Sequence, residues 1–368
     1  MVVLVMINSS NGLYSFRKEL LQRLINEGHV VYVSAIPEAK KEDIEKIGCK
    51  FIDTNIDRRG SNIFKDCKLF IFYLKILRQI KPDIIFTYTI KPNIYGSIAA
   101  RIRKIKSIHT VTGLGSVYIR DMWIKKIVIL LNKFGFKKAN KIYFLNNDNL
   151  EFYKKIGILS NNQECEVVPG SGVNIDEFKF SDVDLSGNKS FTFIARLLKD
   201  KGIGEFLEAA EIIRKKYSNI EFNVVGYSDE EFYLKKVEEY DKKGIIKYFG
   251  YLEDVKEIIT NSTCIVLPSY GEGRGTVLQE AASMGRAIIT CDTYGTKETV
   301  EQGYNGFLCK VADVDSLVKS IENFINLSDE QIIKMSKNSR DKAIREFDRK
   351  IVIDSYIKSM NNVLKGEK

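Results

Sequence analysis

Residues 268–285 have the sequence PSYGEGRGTVLQEAASMG, in which a strand-like apolar run ends in a glycine-rich turn and a helical pattern follows. Glycines in such a turn let the backbone approach a ligand closely, and the N-terminus of the following helix favours a phosphate group. Glu272 lies in the turn and Glu280 about one turn into the helix. At this spacing the two carboxylates can accept hydrogen bonds from hydroxyl groups on two different parts of one ligand.

The same order of elements is repeated along the whole chain. Short apolar runs are typical of buried strands, and the amphipathic patterns between them are typical of helices. Strands that alternate with helices predict parallel βαβ units and doubly wound sheets. The predicted strands are 2–7, 30–35, 84–89, 109–112 and 141–145 in the first half, and 190–195, 220–225, 264–268 and 287–291 in the second half.

A cluster of proline and glycine at residues 167–174 marks the boundary between the halves, and a length of 368 residues suits two domains. We therefore predict an α/β protein in which residues 1–168 and 169–345 form two doubly wound Rossmann-like domains that face a cleft. Residues 346–368 are predicted to form a C-terminal helix that packs back on the first domain. Because open α/β sheets bind ligands at the carboxyl ends of their strands, the loops of both domains should face that cleft.

Composition excludes several classes of protein. Apolar residues make up 44% and charged residues 29% of the chain, as in ordinary globular proteins. No apolar run reaches the roughly 18 residues that span a bilayer, and residues 1–7 lack the features of a signal peptide. The six cysteines are far apart without a CxxC pair, which predicts reduced cysteines in a cytosolic protein. Two histidines are too few for a histidine-rich metal site.

Charge is distributed unevenly between the two halves. Residues 1–170 carry a net charge of +13 and residues 171–368 a net charge of −4. A basic half attracts polyanions, phosphorylated ligands or anionic lipid, although a solvated basic surface is the simpler interpretation. The chain shows no aromatic RNA-recognition motif and no helix-turn-helix pattern, so we predict no nucleic-acid partner.

Two cations follow the first predicted strand of the second half. Arg196 lies at the carboxyl end of that strand, and Lys201 immediately precedes the next helix. An arginine fork and a lysine point charge at this spacing can hold a diphosphate between them.

A second candidate anion site follows the first strand of the chain. Residues 8–12, NSSNG, are small and polar and directly precede a predicted helix. Backbone N–H groups at a helix N-terminus can bind an anion, and an ordinary capped βα turn is the alternative. The stretch lacks the GxGxxG pattern of dinucleotide-binding folds.

Taken together, these segments resemble a known family. The stretch from Glu272 to Glu280 is similar to the signature of the retaining, metal-independent glycosyltransferases of family 4, which have the GT-B fold. Arg196 and Lys201 match the diphosphate-binding cations of that family, although Ala195 stands where the family usually has glycine. The resemblance covers essentially the whole chain and includes the segments 168–174, 249–252 and 303–308.

The resemblance implies a UDP-sugar donor bound to the second domain. Arg196 and Lys201 would hold the diphosphate and stabilise the leaving group, and Glu272 would contact the donor sugar as a catalytic residue. Glu280 would hold the ribose hydroxyl groups. The full donor-binding set is Arg196, Lys201, Tyr251, Leu252, Gly273, Arg274, Gly275, Thr276, Glu280 and Gly12.

The acceptor side resembles one subgroup of the family. Residues 87–93 and 110–116 are similar to loops of bacterial enzymes that build capsule, O-antigen or N-glycan precursors on a polyprenyl-diphosphate lipid. The implied acceptor is a lipid-linked glycan, to which a hexose or N-acetylhexosamine is transferred. The predicted acceptor-side residues are Lys91, Thr112, Gly113 and His109. Thr112 stands where many members of the family have histidine. His109 lies three residues earlier, inside a predicted strand, where a position in the core is the simpler interpretation.

Two segments of the first half predict contact with a membrane. Residues 65–81 and 120–138 mix cations with apolar residues, and the second contains the only tryptophan. Such segments can lie in a headgroup interface, where each cation adds about 1 kcal/mol on an anionic surface. Core-facing helices with lysine-rich outer faces are the alternative. We predict a cytoplasmic protein bound peripherally to the inner face of the bacterial cytoplasmic membrane.

No metal or other cofactor is predicted. The DxD triplets at 182–184 and 313–315 do not follow strands beside the other motifs. A nucleotide-sugar epimerase or another enzyme of the same GT-B architecture remains the alternative function, although an epimerase needs further acid–base groups.

Overall fold

The computed structural model describes residues 1–58, 60, 62–113, 122–228 and 230–366, without the side chains of 122–124. The chain divides into two compact units, Met1–Ser171 with Val352–Lys368 and Gly172–Ile351. The first unit contains a parallel sheet of seven strands, and the second unit contains a parallel sheet of six strands. The predicted α/β fold with two doubly wound domains is therefore confirmed. The predicted loop residues 114–116 and the start of the basic segment, 120–121, lie outside the described residues.

The first unit is a sheet with helices on both faces. Its strands are β1 (Val2–Met6), β2 (Val30–Ala35), β3 (Lys50–Asp53), β4 (Ile84–Tyr88), β5 (Lys106–Val111), β6 (Lys141–Phe144) and β7 (Cys165–Val167). Its helices are α1 (Ser10–Asn26), α2 (Lys41–Lys46), α3 (Ile63–Ile80), α4 (Ser97–Arg103), α5 (Met122–Phe136) and α6 (Asn147–Lys155). The strand order is β3-β2-β1-β4-β5-β6-β7, so the winding direction reverses between β1 and β4.

Alternation along β1 explains why both faces of this sheet are covered. Successive side chains of a strand point to opposite faces. Val3 and Val5 pack in one buried cluster with residues of α1, whereas Leu4 and Met6 pack in another with residues of α3. A strand buried on both faces is continuously apolar, which is the pattern that predicted it from the sequence.

The second unit repeats the architecture. Its strands are β8 (Lys189–Ile194), β9 (Ile220–Val225), β10 (Lys247–Tyr248), β11 (Cys264–Leu267), β12 (Ala287–Cys291) and β13 (Gly306–Cys309). Its helices are α7 (Ile203–Lys216), α8 (Glu231–Lys242), α9 (Lys256–Thr260), α10 (Thr276–Ser283), α11 (Val314–Ile325) and α12 (Asp329–Lys342). The strand order is β10-β9-β8-β11-β12-β13, with the reversal between β8 and β11.

The last helix, α13 (Arg349–Lys365), completes the core of the first unit from Val352 onward. Tyr356 shares a hydrogen bond of 2.6 Å with Thr110 through their hydroxyl groups, and its ring lies 4.4 Å from that of Tyr143. Arg17 lies over the Tyr356 ring. None of the described helices combines the length and hydropathy needed to cross a membrane.

Gly202 lies between β8 and α7 and has a φ of +75°, a conformation that favours glycine. A Cβ there would overlap the carbonyl oxygen of Pro268. We expect Gly202→Ala to lower the free energy of unfolding by about 2 kcal/mol or more, measured by chemical denaturation. The matched control is Gly204→Ala in α7, where a Cβ meets open space. The control should be neutral or stabilising by up to about 1 kcal/mol. Equal stability of the two variants would contradict the prediction.

Candidate functional site

The candidate donor site lies where the strand order of the second unit reverses. β8 and β11 are neighbouring parallel strands, so the loops that follow them leave the same edge of the sheet. The loop after β8 contains Arg196 and Lys201, and the loop after β11 contains Glu272. A reversal of this kind leaves a crevice at the carboxyl ends of the strands, which is where open α/β sheets bind ligands.

Backbone contacts hold the two loops together. Ser269 Oγ and the Tyr270 N–H both donate to the carbonyl of Asp200, at 3.0 and 2.8 Å. Lys201 follows Asp200, and its Nζ donates to Glu272 Oε1 at 2.7 Å. The two side chains are 14% and 17% exposed, so the ion pair is only partly hydrated. The structure thus brings together a predicted cation and a predicted carboxylate that are far apart in the sequence.

The turn that carries Glu272 is supported from β12's side of the sheet. The Glu272 N–H donates to the Tyr294 carbonyl at 3.0 Å, and the Gly275 N–H donates to the Gly295 carbonyl at 2.8 Å. Gly295 has a φ of +76°, and a Cβ there would overlap the carbonyl oxygen of Glu272. The path of the turn therefore depends on this glycine outside the predicted motif.

Glu280 lies in the second turn of α10, and burial raises the pKa of its carboxyl group to about 8. The carboxylates of Glu177 and Asp254 raise that pKa further, whereas the cations of Arg349 and Lys256 lower it. Its surroundings differ from those of Glu272, which contacts Lys201 directly. The two glutamates of the motif therefore occupy electrostatically different positions.

Arg274 contacts groups of its own unit. Its Nη1 lies 3.8 Å from Glu298 Oε1, and its guanidinium lies 6.0 Å from the centre of the Phe347 ring. Burial lowers the pKa of Arg274, whose side chain is only 11% exposed. The residue therefore supports the turn between Gly273 and Gly275 in this structure.

The other predicted donor residues lie on neighbouring loops. Arg196 is exposed at the carboxyl end of β8, and Leu252 is half-buried against the core. Tyr251 is exposed and stands edge-to-face with Tyr227, with ring centres 5.6 Å apart. Sequence reasoning missed Tyr227. The sequence feature that could have indicated Tyr227 is an aromatic residue directly after Gly226, at the carboxyl end of β9.

The predicted anion site at Gly12 needs correction. The Gly12 N–H donates to Ser9 Oγ at 3.0 Å, and Ser9 is the N-cap of α1. The neighbouring Asn11 N–H donates to the carboxylate of Glu38 at 3.1 Å. Side chains of the protein therefore already satisfy these two N–H groups, and the stretch is a capped βα turn rather than an open phosphate site.

His109 lies in β5 and is fully buried. Its Nδ1 shares a hydrogen bond of 2.6 Å with Thr87 Oγ1, its Nε2 one of 2.9 Å with Ser107 Oγ, and its ring stacks on Phe136. Burial lowers the pKa of His109 to about 3, so the ring is neutral near pH 7. A buried, neutral and hydrogen-bonded imidazole serves the core, which corrects the expectation that His109 contacts an acceptor.

Three predicted acceptor-side residues follow β4 and β5. Lys91 Nζ lies 2.6 Å from Asp66 Oδ1, and both side chains are mostly buried. Thr112 is half-buried, and Gly113 has a φ of +155° with open space beside its Cα. Thr89 has a φ of +68°, which is rare for a β-branched residue. Strain of this kind is concentrated at functional loops.

Aspartates of the DxD triplets at 182–184 and 313–315 accept hydrogen bonds from neighbouring serines. Asp313 accepts a hydrogen bond from the Ser316 N–H at 2.8 Å and caps α11. Asp184 accepts hydrogen bonds from Ser186. Within the described part of the chain, no three His, Cys, Asp or Glu side chains are grouped as a metal site.

Two family models match most of the chain. Glycosyl transferases group 1 matches residues 174–342, and the glycosyl transferase 4-like model matches residues 3–146. Among solved structures, Anabaena HepE in complex with UDP and glucose has a TM-score of 0.81 at 18% identity, covering 98% of this chain and 100% of that one. A glycosyltransferase from Rickettsia africae has a TM-score of 0.83 at 19% identity, covering 99% and 98%.

Relatives of similar length have described activities. The N,N'-diacetylbacillosaminyl-diphospho-undecaprenol alpha-1,3-N-acetylgalactosaminyltransferase of Campylobacter jejuni is 28% identical over 96% of this chain and 97% of its own. The UDP-Gal:alpha-D-GlcNAc-diphosphoundecaprenol alpha-1,3-galactosyltransferase of Escherichia coli is 28% identical over 78% of each chain. The chain therefore belongs to the bacterial glycosyltransferases of family 4, and it is a sugar-transferring enzyme.

Proposed function

We propose that this enzyme transfers a hexose or N-acetylhexosamine from a UDP-sugar to a glycan carried on a polyprenyl diphosphate. The observation that carries the proposal is the Lys201–Glu272 pair at the β8/β11 reversal. Two relatives are named for acceptors on diphospho-undecaprenol, and one of them for a UDP-linked donor. The structural neighbour HepE was solved in complex with UDP and glucose, which supports a UDP-sugar donor for an enzyme of this fold.

The main catalytic effect that we assign to this chain is electrostatic stabilisation of the leaving group. Arg196 and Lys201 would bind the diphosphate and neutralise the charge that develops on UDP. With these cations in place, the proposed reaction needs no metal. Glu272 orients Lys201 before the donor binds. When Lys201 turns to the phosphate, the Glu272 carboxylate becomes free to accept hydrogen bonds from the donor sugar and to stabilise positive charge at its anomeric carbon.

The nucleoside is assigned to the remaining loops. Glu280 would accept hydrogen bonds from the ribose hydroxyl groups, and the backbone from Gly273 to Thr276 would meet the phosphates at the start of α10. Tyr251 with Tyr227 offers an exposed aromatic surface for the base, next to Leu252. Retention of the anomeric configuration is proposed from the family resemblance.

The acceptor is assigned to the first unit. Lys91, Thr112 and Gly113 follow β4 and β5, whose carboxyl ends lie beside the β1/β4 reversal of that sheet. Exposed apolar residues and lysines on α3 and α5 support peripheral binding to an anionic membrane. On this basis we propose that the enzyme works at the inner face of the cytoplasmic membrane.

The proposal is tested by incubating the enzyme with UDP-sugars, with and without a polyprenyl-diphosphate glycan. We expect a new lipid-linked product only when both are present, with unchanged rate after chelation by EDTA. The anomeric configuration of the new linkage, measured by NMR, should match that of the donor. Conversion of the donor sugar without any acceptor would instead identify an epimerase, and loss of activity with EDTA would contradict metal independence.

Lys201→Ala should lower kcat for transfer by about 100-fold or more, because a cation that stabilises the leaving group is lost. The matched control is Lys199→Ala, an exposed lysine on the same turn, which should leave kcat within about twofold. Both variants are compared by initial rates at saturating donor, and equal melting temperatures show that both fold. A Lys201→Ala enzyme within twofold of the parent would refute the assigned role.

Donor binding should depend on pH through Glu280. With a pKa raised to about 8 in the free enzyme, Glu280 is mostly protonated at pH 7. Ribose hydroxyl groups donate to the ionised carboxylate, so binding favours loss of the proton and lowers the pKa in the complex. Affinity for UDP should therefore rise with pH toward 8, by up to about tenfold per pH unit, and level off above that value.

Calorimetry in buffers of different ionisation enthalpy measures this proton directly. We expect release of close to one proton per UDP bound at pH 7, after correction for the phosphate of UDP. Glu280→Gln keeps the size of the side chain but cannot ionise, so the release should disappear. Identical proton release by parent and variant would show that another group titrates.

A further inference from the structure

A cavity of about 460 Å³ lies in the first unit, between α3, α4 and α5. Its walls are aromatic and branched apolar side chains, among them Phe70, Ile94, Ile98, Val128, Leu131 and Phe134. This volume is within the range of roughly 300–1,000 Å³ in which proteins bind small ligands. No residue of the proposed donor site lines it.

The cavity has one polar end. Among the described lining residues, Asp66 and Lys91 alone are charged, and they form an ion pair of 2.6 Å. The Tyr95 hydroxyl donates to Asp66 Oδ2 at 3.1 Å. Because Asp66 balances Lys91, the interior offers no net positive charge to a phosphate. A ligand with an anionic head would place its apolar chain inside and keep its head at the mouth.

The surroundings of the cavity suit such a ligand. Ile63, which lines the cavity, is 65% exposed, and Phe64 beside it is 82% exposed. On α5, Leu130 is 66% exposed. Exposed lysines lie among these residues, at 65, 68, 126 and 133. Lysines around an apolar opening attract an anionic head and leave the chain to be buried.

We propose that this cavity binds the isoprenoid chain of the lipid-linked acceptor, with the diphosphate at its mouth among the lysines. The inference rests on the proposed function and names where the lipid part of the acceptor is held. It is favoured over another occupant because Lys91, at the cavity's polar end, belongs to the loop after β4 that is assigned to the acceptor. The cavity thus adjoins the loop assigned to the acceptor and offers an apolar space for its lipid chain.

Cys67 provides a probe, because this free thiol is exposed and lines the cavity. We expect geranylgeranyl diphosphate to slow alkylation of Cys67 by iodoacetamide about fivefold, followed by peptide mass spectrometry of the full chain. Inorganic diphosphate should leave the rate unchanged. Equal protection by submicellar lysophosphatidylglycerol would overturn the assignment to an isoprenoid, and absence of protection by geranylgeranyl diphosphate would overturn the cavity as its site.

A cavity-filling variant links binding to transfer. Val128→Phe should abolish protection of Cys67 and raise KM for a long-chain acceptor about tenfold, while UDP binding is unchanged. Ile102→Phe, at an exposed position of α4 outside the cavity lining, should change neither. An unaltered KM in Val128→Phe would contradict the inference. Protection of Cys67 in an enzyme that transfers no sugar would keep the isoprenoid cavity and refute only the proposed reaction.

Discussion

The parallel pairing of β8 with β11 is the constraint on which the donor site depends. Since both strands end at the same edge, the loops that follow them must meet, and the Asp200 carbonyl accepts two hydrogen bonds from residues after β11. Lys201 and Glu272 consequently form an ion pair although 71 residues separate them. Glycines at 202 and 295 make these close approaches sterically feasible.

The two glutamates of the motif, Glu272 and Glu280, differ in their electrostatic surroundings. Glu272 pairs with a lysine at the mouth of the β8/β11 reversal, a position that suits a group facing developing positive charge. Desolvation, with the nearby carboxylates, raises the pKa of the half-buried Glu280 to about 8, so the free enzyme keeps it mostly protonated near pH 7 until a ligand supplies hydrogen-bond donors. Similar residues in one short segment can therefore have different tasks, as in other enzymes that place carboxylates in unlike surroundings.

The sequence predicted the features that follow from periodicity and from strand order. The largely buried strands β1, β4, β8, β11 and β12 are identified from the sequence because strands buried on both faces are rich in apolar residues. The short strands β10 and β13 were missed. So were β3 and β7, neither of which has a fully buried residue. Their pairing to β2 and β6 is a tertiary effect that local composition does not record.

The residues of the candidate site that could be predicted are likewise those whose position follows from strand order. Arg196, Lys201 and Glu272 could be placed because they lie in the loops that follow two predicted strands. Gly12 was misassigned because the carboxylate of Glu38, far along the chain, accepts the N–H of its neighbour. His109 was misassigned because its burial depends on Phe136 and on neighbouring strands. The Tyr227–Tyr251 pair requires two separate loops, which a linear motif does not reveal.

A crystal structure of the enzyme with UDP bound would show whether the loops after β8 and β11 form the donor site. We expect the diphosphate within hydrogen-bond distance of Arg196 and Lys201, with the Lys201–Glu272 pair opened, and the ribose hydroxyl groups on Glu280. UDP bound away from the β8/β11 reversal, with Lys201 still paired to Glu272, would contradict it.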